Sequence, residues 1–325
     1  VALAITGKPF IFAVGADLSG VPKITYREQA DAIAKLGHRV LGRLGDFKVP
    51  TFALVNGAAM GGGLETALHC NYRTLSSGAA ALALPECFLG LVPGWGGTYL
   101  LPNLIGAQKA IDVIVNNPLA QNRMLKPKQV LSLGIADVMF EPADFLERSL
   151  DWAADVINGE TTVDRPEVDT GAAWTDAVAG AQAGLEARLH GAAPAPVKAL
   201  ELIDLARTAD RDTAFAAEDA ALADLIMSDE LRAGLYSFDL VQKRAKRPVG
   251  VPDKSLARPV SKVGVVGAGL MASQLGMLFV QRLQVPVVMT DLDQERVDKG
   301  VAYVHGEIDK MQAKDDEAEA DAEIR

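Results

Sequence analysis

Cysteine is nearly missing from this 325-residue chain: Cys70 and Cys87 are the two present, and they do not form a Cys-x-x-Cys pair. A disulfide framework is therefore excluded as the source of stability, and a reducing, cytoplasmic setting fits. Histidine is equally sparse, with four scattered copies and no metal-ligand spacing, so no zinc or other metal site is expected. His38, His69 and His190 have no partner at a catalytic spacing, and we read them, like the cysteines, as packing or surface groups. Basic residues are the scarcer charge, 32 Lys and Arg against 42 Asp and Glu for a net charge of -10. That balance argues against a general phosphate-backbone binder, so no nucleic-acid partner is expected and any anionic ligand must be met locally. Charge of either sign is missing from Cys87 to Gln108, a length that raises the membrane question. Pro93, Gly94, Gly96, Gly97 and Pro102 interrupt it, so it reads as a buried glycine-rich loop and no transmembrane segment is expected. An initiator Met and a signal-peptide n-region are also missing, and Val1 opens directly into the apolar run VALAIT, so we expect a fragment.

What is present is a chain long enough for two cores, with 49% hydrophobic residues, and an α/β fold class is expected. Residues 1 to about 60 read as strand, glycine-bearing loop, amphipathic helix and second strand. The helix between Ile24 and Leu44 presents Ala30, Ile33, Ala34, Leu36, Val40, Leu41 and Leu44 as one buried face. Short helices follow from about 106 to 157. Residues 158 to 196 carry eight Gly and Pro residues and read as loop. We expect a first domain over 1–190 and a helical connector over 191–258 whose charges alternate in sign. A second αβ domain is expected over 259–325.

Two segments place a flexible loop directly after an apolar run: GKPFIFAVGADLSG and NGAAMGGGLETA. In the second, Gly61 to Gly63 open a helix, permitting close backbone approach and leaving N–H groups free to donate to a developing oxyanion. Glu65 lies just inside that helix, and Glu86 follows 21 residues later as the lone charge between Ser76 and Gln108. Buried carboxylates near each other push their proton affinities apart, as an acid/base pair requires. Helix capping accounts for the spacing equally well, Glu65 near an amino terminus and Glu86 in the first turn after Pro85.

GADL, NGAAMGGGLE and PECFLGLVPGWGGTYLLPNLIG, in this order and spacing over roughly residues 1 to 160, resemble the crotonase (enoyl-CoA hydratase/isomerase) superfamily. The resemblance implies a crotonase-like ββα spiral acting on a CoA thioester. The backbone N–H groups of Ala16 and Gly62 would polarise the thioester carbonyl. Glu65 and Glu86 would hold a water and carry its addition across the 2,3 double bond, with Glu86 as proton donor to C2 and Glu65 as partner base. Trp95 is a further candidate for lining the acyl pocket.

A second constellation is KVGVVGAGLMASQLG, an apolar strand followed by Gly267, Gly269 and Ala272 in a GxGxxA turn, with Asp291 ending the next strand 24 residues beyond Gly267. This is the start of a Rossmann domain for a dinucleotide, and the acid favours NAD by bonding a ribose hydroxyl. It resembles the 3-hydroxyacyl-CoA dehydrogenase fingerprint, from which Ala272, Ser273 and Gln274 depart. Together the parts resemble the α subunits of multifunctional fatty-acid oxidation complexes. That resemblance implies hydration followed by NAD-dependent oxidation, with a thiolase subunit as partner. The dehydrogenase's catalytic pair would lie beyond Arg325. Two rivals are a double-bond isomerase and a non-catalytic acyl-CoA-binding or assembly scaffold.

Overall fold

The computed structural model describes residues 1–15, 17–241, 245 and 250–323, without the side chains of residues 19, 254 and 313–323. The chain divides into two compact units, Val1–Pro248 and Val249–Arg325.

The first unit opens with three turns of a strand–strand–helix repeat. They are β1 (Leu3–Thr6), β2 (Phe10–Val14) and α1 (Arg27–Asp46); β3 (Thr51–Val55), β4 (Gly57–Met60) and α2 (Gly62–Leu68); and β5 (Tyr72–Ser76), β6 (Leu82–Ala83) and α3 (Glu86–Leu89). The first strand of each repeat joins a parallel sheet of order β1-β3-β5-β7, completed by β7 (Val138–Phe140), and the second joins a parallel sheet of order β2-β4-β6. This is the expected crotonase spiral. Every residue of β3, TFALV, is buried, as a central parallel strand covered on both faces requires. Asn56 staples the repeats together: its Oδ1 accepts the Gly7 N–H at 3.1 Å and its Nδ2 donates to the carbonyl of Lys8 at 2.6 Å.

β2 and β4 lie where the sequence reads as loop. Glycine and alanine are poor strand formers, so GAAM carries no local signal and is held as a strand by its neighbours β2 and β6. FIFAV has strand composition, but Phe10 enters it with φ of 67°, after the Gly-Lys-Pro turn that masks its start.

The helices that follow are α4 (Gly97–Ile105), α5 (Ala107–Ile111), α6 (Asn117–Leu119), α7 (Pro127–Leu133), α8 (Phe145–Asn158), α9 (Ala172–Leu189), α10 (Pro194–Ala206), α11 (Arg211–Ile226) and α12 (Asp229–Asp239). α9 replaces part of the loop expected over 158–196: its alanines outweigh Gly180 and Gly184, and buried Trp174 ties it to α10 by donating to the Ile203 carbonyl at 3.1 Å. Asp210 and Ser228 cap α11 and α12 by accepting the N–H groups of Thr213 and Leu231.

α10 to α12 begin the segment expected as a connector, yet they pack within the first unit, α11 along α1, α10 against α4 and α9, and α12 on α3. That docking also rewrites the face of α1. Its buried residues are Ala30, Ala34, Gly37, His38 and Gly42, whereas Ile33, Leu36 and Val40 are 37%, 47% and 52% exposed. Helices approach most closely where side chains are smallest, so the small residues, not the largest apolar ones, meet α11.

The second unit is β8 (Val263–Val266), α13 (Leu270–Leu283), β9 (Val287–Thr290) and α14 (Gln294–Glu323), with β8 and β9 parallel. Strand, glycine turn, helix and strand fall where the sequence places them.

Candidate functional site

Because β2, β4 and β6 are parallel neighbours, their carboxyl ends deliver three loops side by side: the turn after Val14, the Gly61 turn and Pro85-Glu86. Two hydrogen bonds lock them, Gly15 N–H to Met60 O at 2.8 Å and Gly61 N–H to Ala83 O at 2.9 Å. Ala16 lies outside the described residues. Gly61 has φ of 53°, and a β-carbon there would collide with Oε1 of Glu86. One on Gly62 would sit 2.8 Å from the Trp95 ring and 3.9 Å from Oε2 of Glu65. The turn thus brings both carboxyl groups and the indole against its bare backbone. Gly62 is the first residue of α2, where an N–H has no acceptor within the helix.

Glu65 is 2% exposed, and its Oε1 accepts the N–H groups of Trp95 at 2.7 Å and Gly97 at 2.9 Å. Burial and then the like charge of Glu218 raise its pKa to about 7, against the downward pull of those two bonds. Oε2 of Glu86 is buried and finds no hydrogen-bond partner among the described residues. Burial and then the charge of Glu65 hold the Glu86 carboxyl well above the usual carboxylate range. The two N–H donors favour the ionised form at Glu65, and Glu86 has no such help at Oε2, so the pair is unequal as acid/base chemistry requires.

A second buried glutamate, which the sequence did not point to, grips the same loop. Oε2 of Glu218 accepts the Gly96 N–H at 2.6 Å, and Oε1 accepts the Thr98 hydroxyl. Nε2 of His38 meets Glu218 Oε2 at 2.9 Å, and Nδ1 meets Asp219 Oδ1 at 2.7 Å. Burial opposes charge on His38, but the two carboxylates prevail and raise its pKa. His69 donates from Nε2 to the Trp95 carbonyl at 2.8 Å, and burial pushes its pKa down to about 4, keeping it neutral. His38 and His69, expected to be unpartnered, are both engaged. One clue was available: Ala214, Phe215, Glu218, Ala221, Leu222 and Leu225 share the buried line of α11, so Glu218 is a charge at a core position. A cleft of about 660 Å³ opens at the far end of α2, lined by Lys48, His69, Asn71 and Arg73 among others, and holds neither Glu65 nor Glu86.

In the second unit, Gly267 has φ of 102° and donates its N–H to Thr290 O at 2.7 Å, drawing the turn onto the end of β9. Asp291 accepts the Ala268 N–H at 2.7 Å on Oδ2 and the Leu292 N–H at 2.6 Å on Oδ1. Those two bonds, Leu292's the stronger, and Arg296 hold its carboxyl below the usual range. Each oxygen keeps a lone pair for a further donor. A β-carbon on Gly269 would have nothing within 4 Å, so the head of α13 is open to a phosphate. Ala272 faces Gly267 at 3.9 Å from its β-carbon position. Ser273 is buried and donates to Ala268 O at 3.3 Å, turning inward, while Gln274 is exposed. The residues present fit a dinucleotide.

Comparison with known proteins matches both units to known families. Residues 262–325 match the family model of the 3-hydroxyacyl-CoA dehydrogenase NAD binding domain. The chain is 30% identical over 313 residues to the fatty acid oxidation complex subunit alpha of Shewanella loihica, covering 93% of this chain and 42% of that one. It is 28% identical over 314 residues to the subunit of the same name from Shewanella frigidimarina, covering 95% and 43%. The chain thus spans less than half the length of these curated relatives. Among solved structures, an enoyl-CoA hydratase from Mycobacterium avium subsp. paratuberculosis aligns at 19% identity over 72% of this chain and 78% of that one, with a TM-score of 0.49. Residues 1–198, which hold the glycine turn and both carboxylates, match the family model of enoyl-CoA hydratase/isomerase, and the chain belongs to that family.

Proposed function

We propose that the first unit hydrates trans-2-enoyl-CoA to 3-hydroxyacyl-CoA in fatty-acid β-oxidation. The observation that carries this reading is the pair of carboxyl groups of unequal proton affinity at one glycine turn, Glu86 with an orphaned buried oxygen and Glu65 held by two backbone N–H groups. Glu65, ionised, orients a water and takes its proton as the oxygen adds to C3. Glu86 delivers its own proton to C2, so the elements of one water are added and the two carboxyls exchange roles until a proton returns to Glu86. The N–H of Gly62, with that of Ala16 implied by the family resemblance, stabilises the charge that develops on the thioester oxygen.

In the second unit, Gly267, Gly269 and Ala272 would hold the pyrophosphate of NAD, and Asp291 its adenosine ribose. Bound there, NAD supplies the hydride acceptor that turns a 3-hydroxyacyl-CoA into its ketone. The relatives are subunits of a fatty acid oxidation complex, and a thiolase subunit is the partner we propose for the longer protein. A cytoplasmic setting is part of the same proposal; separately, no helix among the described residues is long and apolar enough to cross a membrane.

The test is the loss of the 2,3-unsaturated thioester absorbance when crotonyl-CoA meets the purified chain, its Glu65→Gln and its Glu86→Gln variants. Turnover by the wild type, abolished in both variants, is expected. Activity surviving one substitution would favour an isomerase, and binding without turnover by the wild type would favour a scaffold.

A further inference from the structure

The loop from Pro93 to Thr98 is the one part of the hydratase site with little reason to hold a shape of its own. Gly94, Gly96 and Gly97 leave its backbone free, and Gly96 lies at φ of 105°. Beside the bond from His69 to the Trp95 carbonyl, two buried glutamates grip alternate groups along it. Glu65 takes the N–H groups of Trp95 and Gly97; Glu218 takes the N–H of Gly96 and the hydroxyl of Thr98. Glu65 and Glu218 arrive from α2 and α11, so the loop is clamped from two sides.

Packing between α1 and α11 gives no reason for a carboxylate at 218. An apolar side chain there would spare the desolvation of a charge that is 1% exposed and is offset by His38, whose other ring nitrogen is held by Asp219. We propose that Glu218, which lies beyond the segment matched by the hydratase family model, is a positioning residue of the hydratase site. By holding Gly96 and Thr98 it makes Trp95 and Gly97 present their N–H groups to Glu65. The inference rests on the hydratase reading for its kinetic consequence and on geometry alone for its structural one. The charged groups that bear on Glu65 here are Glu218 and Asp219 from α11, His38 from α1 and Glu86 from α3. Removing the charge of Glu218 takes away the like charge that bears most on Glu65 and eases its ionisation; the weaker hold on the His38 proton acts the other way but is the smaller influence.

The experiment uses the whole chain with Glu218→Gln, Thr98→Val and Thr98→Ser variants. In Glu218→Gln, kcat on crotonyl-CoA is expected to fall about tenfold or more, through misplacement of Glu65, with KM nearly unchanged. The acid limb of its kcat profile is expected to move to lower pH. Thr98→Val should lower kcat several-fold without moving that limb, and Thr98→Ser should restore the rate. A second readout needs no turnover: the infrared C=O band of a protonated carboxyl that disappears in Glu65→Gln, titrated in the wild type and in Glu218→Gln. A shift of that titration to lower pH supports the proposal even if the wild type does not hydrate crotonyl-CoA, which would sink the hydratase reading alone. A Glu218→Gln protein with lowered thermal stability but unchanged kcat, pH limb and band titration would overturn it. Should Glu218→Gln fail to fold, a wild-type rate in Thr98→Val would overturn it equally.

Discussion

The two units each turn a parallel strand into a helix through glycines, and the two turns are built for opposite ends. At Gly61 and Gly62 the space a side chain would take is already filled, by Oε1 of Glu86 and by the Trp95 ring. At Gly269 that space is empty, and at Gly267 only Ala272 comes near. Glycine in the first unit admits the protein's own groups, two carboxyls and an indole. In the second unit it leaves a ledge whose ligand must come from outside. The same residue type therefore marks a filled wall in one place and an open shelf in the other. What decides between them is the chain that returns to cover it.

The sharpest way to break this contrast is to remove the carboxyls from the crowded turn. Glu86→Gln and Glu65→Gln should each lower kcat for crotonyl-CoA by about 10²- to 10⁴-fold in a steady-state assay, since each deletes a proton carrier. The next effect is on stability and runs with pH. Glu65 has an ordinary pKa of 4.5 and a folded value of about 7, so between these the native state binds more protons than the unfolded chain. Its contribution is intact below the lower value and lost as pH rises through the upper one. Replacement by Gln removes that loss, and above pH 7 Glu65→Gln should be the more stable protein by roughly 3 kcal/mol in urea unfolding. An unchanged difference between pH 4 and pH 8 would show that Glu65 is not buried as described.

Gly62→Ala tests the crowding itself. Its β-carbon must displace the Trp95 ring, and about 1–3 kcal/mol of stability should be lost, read as a lower thermal midpoint. On the open turn, Asp291→Ala should weaken NAD binding about tenfold by calorimetry, because it frees the Ala268 N–H and removes the acceptor for the ribose. No measurable NAD binding by the wild type would sink the dinucleotide reading of this unit. The smallest effect is expected for Gly269→Ala, which meets nothing and should change stability by less than about 0.5 kcal/mol. If Gly269→Ala and Gly62→Ala cost the same, the contrast between the turns fails.

How much of this was legible in the sequence follows from distance along the chain. The structure brings Glu65 and Glu86 to one turn, and they could be picked out together because they flank neighbouring repeats and Glu86 stands alone in an uncharged stretch. The dinucleotide turn was legible for the same reason: strand, glycines, helix and acid fall within about thirty residues. The His38–Glu218 pair was not, since 180 residues separate its members: Glu218 stands out as a charge on the buried line of α11, but nothing local says that its partner is His38. β4 was hidden because Ala and Gly carry little strand signal, and β2 because the Gly-Lys-Pro turn masks its start; pairing supplied what the local sequence did not. The face of α1 was misread for a related reason. Periodicity points to the largest apolar residues, but α11 docks on the small ones, and that partner lies far ahead in the chain.

One consequence of the double clamp concerns the order in which the protein is made. Glu65 and Glu86 leave the ribosome early, and residues 1–198 already contain everything that the family match covers. Glu218 and Asp219, which hold Gly96, Thr98 and His38, are synthesised later, and α11 closes only at Ile226. A nascent chain therefore carries Glu65 and Glu86 before the helix that holds Gly96 and Thr98 has been made. The grip on the loop is complete only once the returning helix docks on α1.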